Sequence, residues 1–301
     1  MTKKKQITVL FLAAAVLLAL YAGLKAYNSW SYKAETEKTS KELTATDLNT
    51  EDIEKIDYTD GSDTVTFEKK ENTWYYSQDE ALPLKQSLAQ EAVRAFCTIT
   101  GNRKLSGVDA MEDYGLASPA FSVVLTDGEG KETSVDIGSS TGTDYYLTAD
   151  GGTTVFTVSS TILDSLIFDT ASMIQTETFP EIDSKTLKSF TVKQKGKTLV
   201  SCSGDDEDLS EYGSELSGLS LDTCVNYKTS SGELSNYGLD QKERKEMTAV
   251  YDDSGKEKTQ VFYMGQTFQE NDTLYVYMQL KGSKMVYKVF VSDTEKLLEE
   301  F

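Results

Sequence analysis

Gly138-Ser139-Ser140-Thr141-Gly142 has the G-x-S-x-G spacing of a nucleophile elbow. In such an elbow, a serine on a tight strand-to-helix turn is activated by a histidine. The chain contains no histidine. The pentapeptide therefore lacks its base, and its position between two strand-like runs marks it as a turn. The same absence closes off His-dependent triads, most zinc sites and the usual proton shuttle near neutral pH. Chemistry by carboxylates, by lysine or by a Ser-Lys pair stays open. Asp205-Asp206-Glu207-Asp208 offers oxygen ligands to a divalent cation but lacks the spaced ligands and internal glycine of an EF-hand loop. It precedes a helical pattern, where the helix dipole favours negative charge. Trp74, Tyr75 and Tyr76, with Tyr145, Tyr146, Tyr275 and Tyr277, have the composition of a sugar-binding face. Alternate aromatics on strands equally pack a core or brace a sheet. No phosphate loop or dinucleotide fingerprint occurs. No catalytic, cofactor-binding or metal-ligating residue is assigned, no cofactor is expected, and the ligand-binding residues are left open.

Several elements must position these residues. Ile53, Ile56 and Tyr58, then Val65 and Phe67, then Trp74 and Tyr76 suggest a small antiparallel meander, turned by Asp60-Gly61 and Glu71-Asn72. Leu84, Leu88, Ala92, Ala95, Phe96 and Ile99 fall on one face of a helix that starts after Pro83. Further along, Phe190 and Val192 alternate, Lys195-Gly196 turns, Leu199-Val200 returns, and Leu209, Tyr212, Leu216 and Leu219 mark a second helix. Ser292 and Glu295 have capping-box spacing for a closing helix.

The chain repeats itself. Tyr114-Gly115-Leu116 recurs as Tyr237-Gly238-Leu239. A strand-like run, an acidic Gly turn, a strand ending in Gly, a Tyr-rich strand and a short helix follow each in the same order. In the first copy these are Phe121 to Leu125, Asp127 to Gly130, Val135 to Gly138, Tyr145 to Leu147, Val155 to Ser159 and Leu163 to Leu166. In the second they are Met247 to Tyr251, Asp252 to Gly255, Val261 to Gly265, Leu274 to Tyr277, Val289 to Ser292 and Glu295 to Leu298. Ordered landmarks of this kind mark a duplicated unit, and two copies read as paired lobes rather than a solenoid. Within Tyr-Gly-Leu, the glycine permits a left-handed turn while Tyr and Leu cover the adjacent core. Cys97 and Cys224 each lie between the first helix of a copy and its Tyr-Gly-Leu, so they read as equivalent small buried residues. A disulfide among Cys97, Cys202 and Cys224 would leave one thiol over.

Lys3-Lys4-Lys5 precedes Ile7 to Leu24, an uncharged run of 18 residues. As a helix it would extend about 27 Å, close to the thickness of a bilayer core. The alternative is a cleaved signal peptide, against which stands the poor cleavage site Leu24-Lys25-Ala26-Tyr27. The lysines place the N-terminus in the cytoplasm and the bulk of the chain outside the cell membrane. Residues 1–34 hold five of the 30 basic residues and no acidic one, which leaves 25 basic against 49 acidic, a net of −24. Such a surface repels phosphate backbones, so nucleic-acid binding is excluded as an expectation. The organisation read is a cytoplasmic tail 1–6, a transmembrane anchor 7–24, a stalk 25–50, a first lobe 51–175 and a second lobe 176–301. The fold class is α+β, each lobe a mostly antiparallel sheet with packed helices.

The layout resembles the bacterial domain-of-unknown-function family numbered 4340. The likeness rests on the Lys-rich start with Ile7 to Leu24, Trp74, the Leu84 helix, Tyr114-Gly115-Leu116 followed by Pro119, Val135-Asp136-Ile137-Gly138, Tyr145-Tyr146, and Val155 to Leu166. It covers nearly all of residues 50–170 and the weaker second copy extends it to Phe301, though that copy departs from the pattern, with Gln241 after Leu239-Asp240 and no following Pro. Members of that family are often encoded beside ABC-type transporter subunits resembling those of the gliding-associated export system. The resemblance thus implies an accessory subunit exposed in the bacterial envelope, with permease or ATPase subunits as partners, and it implies no catalytic residues. The expectation is a non-enzymatic, single-pass binding protein. The alternatives are a module binding cell-wall polymer through the strand aromatics and, last, a carboxylate-dependent enzyme.

Overall fold

The structure, a computed structural model, describes residues 23–25, 43–105, 108 and 110–298. Most of the expected anchor, residues 7–24, lies outside the described residues, as does the expected cytoplasmic tail. Among the described residues no helix is long and apolar enough to cross a membrane.

The first copy runs through β1 (Thr44–Asp47), β2 (Ile53–Thr59), β3 (Thr64–Lys70), β4 (Thr73–Tyr76), helix α1 (Gln86–Cys97), β5 (Thr98–Thr100) and β6 (Arg103–Leu105). It continues through a 3-10 turn (Met111–Tyr114), β7 (Phe121–Asp127), β8 (Glu132–Thr141), β9 (Asp144–Ala149) and β10 (Val155–Ser159). The second copy runs through β11 (Leu187–Gln194), β12 (Lys197–Ser203), helix α2 (Glu207–Gly218), β13 (Thr223–Asn226) and a 3-10 turn (Leu234–Tyr237). It ends with β14 (Lys245–Asp253), β15 (Lys256–Glu270), β16 (Thr273–Leu280), β17 (Val286–Phe290) and a helical turn (Glu295–Leu298).

The strand orders carry the duplication. One sheet is ordered β4-β3-β2-β7-β8-β9-β10-β6 and the other β12-β11-β14-β15-β16-β17-β13. Each strand of the second sheet has a counterpart at the same place in the first, which adds only β4 at its edge. The fold is α+β and mostly antiparallel, as the sequence implied. Hairpin chemistry sets the registers. Glu71 and Asn72, Lys195 and Gly196, Ser254 and Gly255, and Asn271 and Asp272 all have positive φ. Paired left-handed residues make the tight two-residue turn whose twist matches that of the flanking strands. Alternation then buries one face: Ile53, Ile56 and Tyr58 on β2, Val123 and Leu125 on β7, Phe190 and Val192 on β11, Met247 and Ala249 on β14.

The register corrects the alignment of the copies at three places. Tyr146 faces Thr157 and Tyr277 faces Lys288, so β17 Val286–Phe290 is the counterpart of Val155–Ser159, not the run starting at Val289. The matching of Phe121 to Met247 is likewise displaced by two residues, because Phe121 faces Ile137 while Lys245 faces Met264. The cysteines are not equivalent: Cys97 ends α1, whereas Cys224 lies in β13 facing Tyr287, at the place Lys104 holds in β6.

Compactness divides the described residues into one unit up to Thr66 with Gln90–Leu166 and a second of Phe67–Ala89 with Ile167 onward. In the first, residues 44–47, read from sequence as the end of a stalk, form β1 against β5. The Thr46 hydroxyl explains this, donating to Phe96 O at 2.8 Å and accepting from Ile99 N at 3.0 Å, so it ties off the end of α1. In the second unit, Leu84 forms a bridge with Ile174 rather than starting the helix, which begins at Gln86. Tyr227 donates to the Asp79 carboxylate at 2.6 Å, and Lys228 pairs with the same oxygen. Phe179 packs edge-on against Phe262 with ring centroids 5.3 Å apart. The capping box at Ser292 does not form. Ser292 lies in a 3-10 turn with its hydroxyl on Asp293, and the backbone N–H groups of Lys296 and Leu297 donate instead to the Glu215 carboxylate of α2, at 2.7 and 3.0 Å.

Candidate functional site

Both copies build the same seat for Tyr-Gly-Leu. Gly115 and Gly238 cap their 3-10 turns in the left-handed region, at φ 73° and 65°. The following Leu116 and Leu239 N–H groups bond back to Met111 O and Leu234 O at 3.0 and 2.9 Å. Each turn lies on a strand glycine. A Cβ on Gly138 would come 2.2 Å from Tyr114 O, and one on Gly265 2.1 Å from Tyr237 O. Each of these glycines stands at a register shift of its strand, between Ile137 and Ser140 or between Met264 and Thr267. The motif tyrosine then packs edge-on against a tyrosine of the next strand: Tyr114 on Tyr146 at 4.9 Å, Tyr237 on Tyr277 at 5.0 Å. Leu239 is fully buried with Tyr263 and Val286. Tyr-Gly-Leu is therefore an architectural clamp, common to both copies, and its bonds are spent inside the lobe.

What the copies do not share is the better pointer to function. On β15–β17, Phe268 stacks between Tyr277 and Tyr275, at centroid distances of 4.2 and 5.6 Å, and Tyr275 meets Phe290 at 5.1 Å. The tight turn at Asn271-Asp272 sets Phe268 opposite Tyr275, and Tyr275 in turn faces Phe290. Phe290 is 48 % exposed, and Phe268, Tyr275 and Tyr277 are half-buried. The Lys288 ammonium lies 4.9 Å from the Tyr275 ring centre and pairs with Glu270, so charge closes one edge of the ladder. Beside it runs a groove of about 150 Å³ whose lining includes Ser220, Asp222, Thr223 and Asp293 along with Tyr275 and Phe290. By register, the first copy has Thr141, Asp144 and Ser159 where the second has Phe268, Tyr275 and Phe290. The sheet does not require rings at these places. An exposed aromatic patch with a polar rim suits a contact surface, in which rings supply area at low entropic cost.

The other sequence candidates scatter. Of the seven aromatics proposed as one face, only Tyr275 and Tyr277 lie in the ladder. Tyr146 serves the clamp, and Trp74 is buried with its backbone bonded to the Gln86 amide at both N–H and C=O. Phe268, Phe290 and Lys288 were missed. The two-residue turn Asn271-Asp272 was the signal that would have paired Phe268 with Tyr275. Gly138 to Gly142 ends β8 and turns into β9, with the Ser140 hydroxyl on Gly142 O at 3.3 Å, so no elbow forms. Asp206 caps α2, accepting from Asp208 N, while Asp208 and Glu211 both pair with Lys296, at 3.4 and 2.9 Å. All three cysteines are free thiols. Burial pushes the Cys97 and Cys224 thiols up to about 11. Close to Cys224, the Glu177 carboxylate accepts from Ser283 at 2.7 Å and from the buried Tyr287 hydroxyl at 3.1 Å. Burial first, and then Glu177, raise the Tyr287 phenol well above its ordinary value. This network is satisfied internally and fixes the segment before β11 to β17.

Residues 74–211 match the family described as Domain of unknown function (DUF4340). The match begins at Trp74 and enters α2, within the span over which the sequence resembles that family. The aromatic ladder lies beyond it. No curated protein and no solved structure matches the chain.

Proposed function

We propose that this chain, whose residues 74–211 match the DUF4340 family, is a non-enzymatic binding protein that engages subunits of an ABC-type transporter. In this reading Ile7 to Leu24 anchors it in the cell membrane with a single pass. The N-terminus is cytoplasmic and the bulk of the chain extracytoplasmic. The observation that carries the reading is the Phe268-Tyr275-Tyr277-Phe290 ladder. Three of its four rings stand where the first copy has Thr, Asp and Ser, so the rings serve something other than the shared architecture. A single anchor holds such a face at the membrane surface and raises its effective concentration near a membrane partner. The absence of histidine from the sequence fits a role in contact rather than proton transfer.

In-cell crosslinking and pull-down of the full chain tests the proposal, with Phe268→Ala/Phe290→Ala and an anchor-swapped chain as comparisons. Recovery of permease and ATPase subunits by the native chain, lost in the double variant, is expected. Equal recovery by native and variant chains would remove the ladder from the account. The groove of hydroxyls and carboxylates beside Phe290 favours a second reading, contact with cell-wall polymer, since sugars present a CH face to rings and hydroxyls to polar groups. Sedimentation with purified wall material that disappears in Tyr275→Ala distinguishes it.

A further inference from the structure

A second feature separates the copies, independent of the ladder. Lys193, Lys195, Gly196, Gln241, Arg244 and Glu246 line a pocket of about 370 Å³. Three cations and one carboxylate surround it, in a chain whose overall balance is −19. Its wall is built. The Gln194 amide donates to Glu243 O at 2.7 Å, fastening the end of β11 to the segment before β14. That segment is itself turned by Asp240, whose carboxylate accepts from Lys242 N at 2.7 Å and whose carbonyl accepts from Arg244 N at 3.1 Å.

Arg244 is held in an ion pair with Glu246 that leaves its side-chain hydrogen-bond donors unspent. Its guanidinium lies 3.6 Å from the centre of the Tyr263 ring, and only 17 % of the side chain is exposed. The Glu246 carboxylate stands 3.8 Å away, beyond hydrogen-bonding distance. Stacking on the ring fixes the guanidinium plane and leaves its edge donors for an acceptor. Among the described residues the Lys193 and Lys195 ammonium groups have no hydrogen-bond or ion-pair partner, although carboxylates abound in the chain. The first copy lacks the feature. Thr59 faces Ser122 where Lys193 faces Glu246, and β2 joins β3 through a longer turn, residues 60–63, that contains no cation. Asp60 spends its carboxylate on its own turn, accepting from Ser62 N and Asp63 N at 2.9 and 2.8 Å. The first copy therefore joins the matching strands without cations.

We propose that the pocket binds a small, multiply charged oxyanion of the diphosphate kind, with Arg244 as the planar fork and Lys193 and Lys195 as flanking point charges. The volume falls in the range of small-ligand pockets and exceeds the needs of one bare phosphate. A guanidinium and two ammoniums match the paired acceptor oxygens and net charge of a phosphoryl group. The distant acidic surface opposes entry only weakly, since charges beyond about 8 Å are screened at physiological salt. Such a group comes either from a soluble diphosphate or from the diphosphate headgroup of a lipid.

The full chain in neutral detergent is titrated calorimetrically with inorganic pyrophosphate and, separately, with geranyl diphosphate, a short-chain lipid diphosphate, below its micellar concentration. Saturable binding at one site is expected in at least one arm, and the arm identifies the source. Affinity should fall roughly tenfold for Lys193→Ala and again for Lys195→Ala, as for loss of one charge-assisted bond each. Arg244→Lys, which keeps the charge and removes the fork, should also bind more weakly. Lys256→Ala, a lysine remote from the lining, should bind as the native chain does. Both target lysines are exposed, so unchanged thermal unfolding of their variants certifies the fold. Absence of saturable binding in both arms, or binding that Lys193→Ala/Lys195→Ala leaves intact, overturns the proposal.

Discussion

Replacing Gly265 by alanine should unseat the Tyr-Gly-Leu clamp of the second copy. The new methyl would meet Tyr237 O at 2.1 Å and Leu239 Cγ at 3.1 Å. Carbon and oxygen keep about 3.3 Å even in close C–H···O contacts, so the turn must lift by roughly 1 Å. Overpacking of this kind costs about 1–3 kcal/mol when the structure yields locally. If Leu239, fully buried now, leaves its seat, the cost approaches the ~1.5–3 kcal/mol for burial of a leucine side chain. Together the cost should be about 2.5–6 kcal/mol, none of it backbone strain, because Gly265 is not among the glycines of positive φ. Gly282 supplies the contrast. Its φ is 88° but an added Cβ meets nothing within 4 Å, so Gly282→Ala should cost about 1 kcal/mol from strain alone. Hydrogen exchange of the full chain, read by mass spectrometry, resolves the two. Gly265→Ala should lose protection across residues 234–239 and 261–265, while Gly282→Ala leaves both segments as they are. Native-like protection in Gly265→Ala would refute the clamp.

Other consequences follow from single contacts. Gly138→Ala should behave as Gly265→Ala does, but with the loss confined to residues 111–116 and 135–139, checked by the same exchange experiment. Glu215→Ala strips the carboxylate from Lys296 N and Leu297 N and should cost about 1–2 kcal/mol, seen as faster exchange at the C-terminal turn. The Lys228 and Tyr227 bonds hold the Asp79 carboxyl below its ordinary value. A depressed carboxylate stabilises above its unfolded-state pKa of about 3.8 and loses that contribution as pH falls through the lower folded value. Asp79→Asn should therefore flatten the acid limb of stability measured by thermal unfolding below about pH 4. With the Cys97 and Cys224 thiols pushed up to about 11, native alkylation at about pH 8 should be slow at both. All three cysteines should label once the chain is unfolded, as counted by intact mass.

The α+β class, the meander turns, both long helices and the duplication were legible because each rests on local chemistry. Glu71-Asn72 and Lys195-Gly196 announce tight turns, and Leu209, Tyr212 and Leu216 recur at helical spacing. Register was legible only in part. The bulges at Gly138 and Gly265 shift the strands after the motif, and no local signal gives their size, so Val286 rather than Val289 proved to match Val155. Non-local partners were invisible: Glu215 capping a turn far along the chain at Lys296, Thr46 tying off α1, and Leu84 drawn out of its helix by Ile174. The contact features were hidden for the same reason. Phe290 joins Tyr275, and Arg244 joins Lys193, only through strand pairing.

The most direct test of the binding role is site-specific photocrosslinking in living cells. A photoreactive phenylalanine analogue is placed at position 290, on the exposed end of the ladder, and in a separate chain at position 159, its counterpart in the first copy. Crosslinks are expected from position 290 to a transporter permease and none from position 159. Equal crosslinking from both, or none from position 290 in a chain that is expressed and anchored, would contradict the binding role.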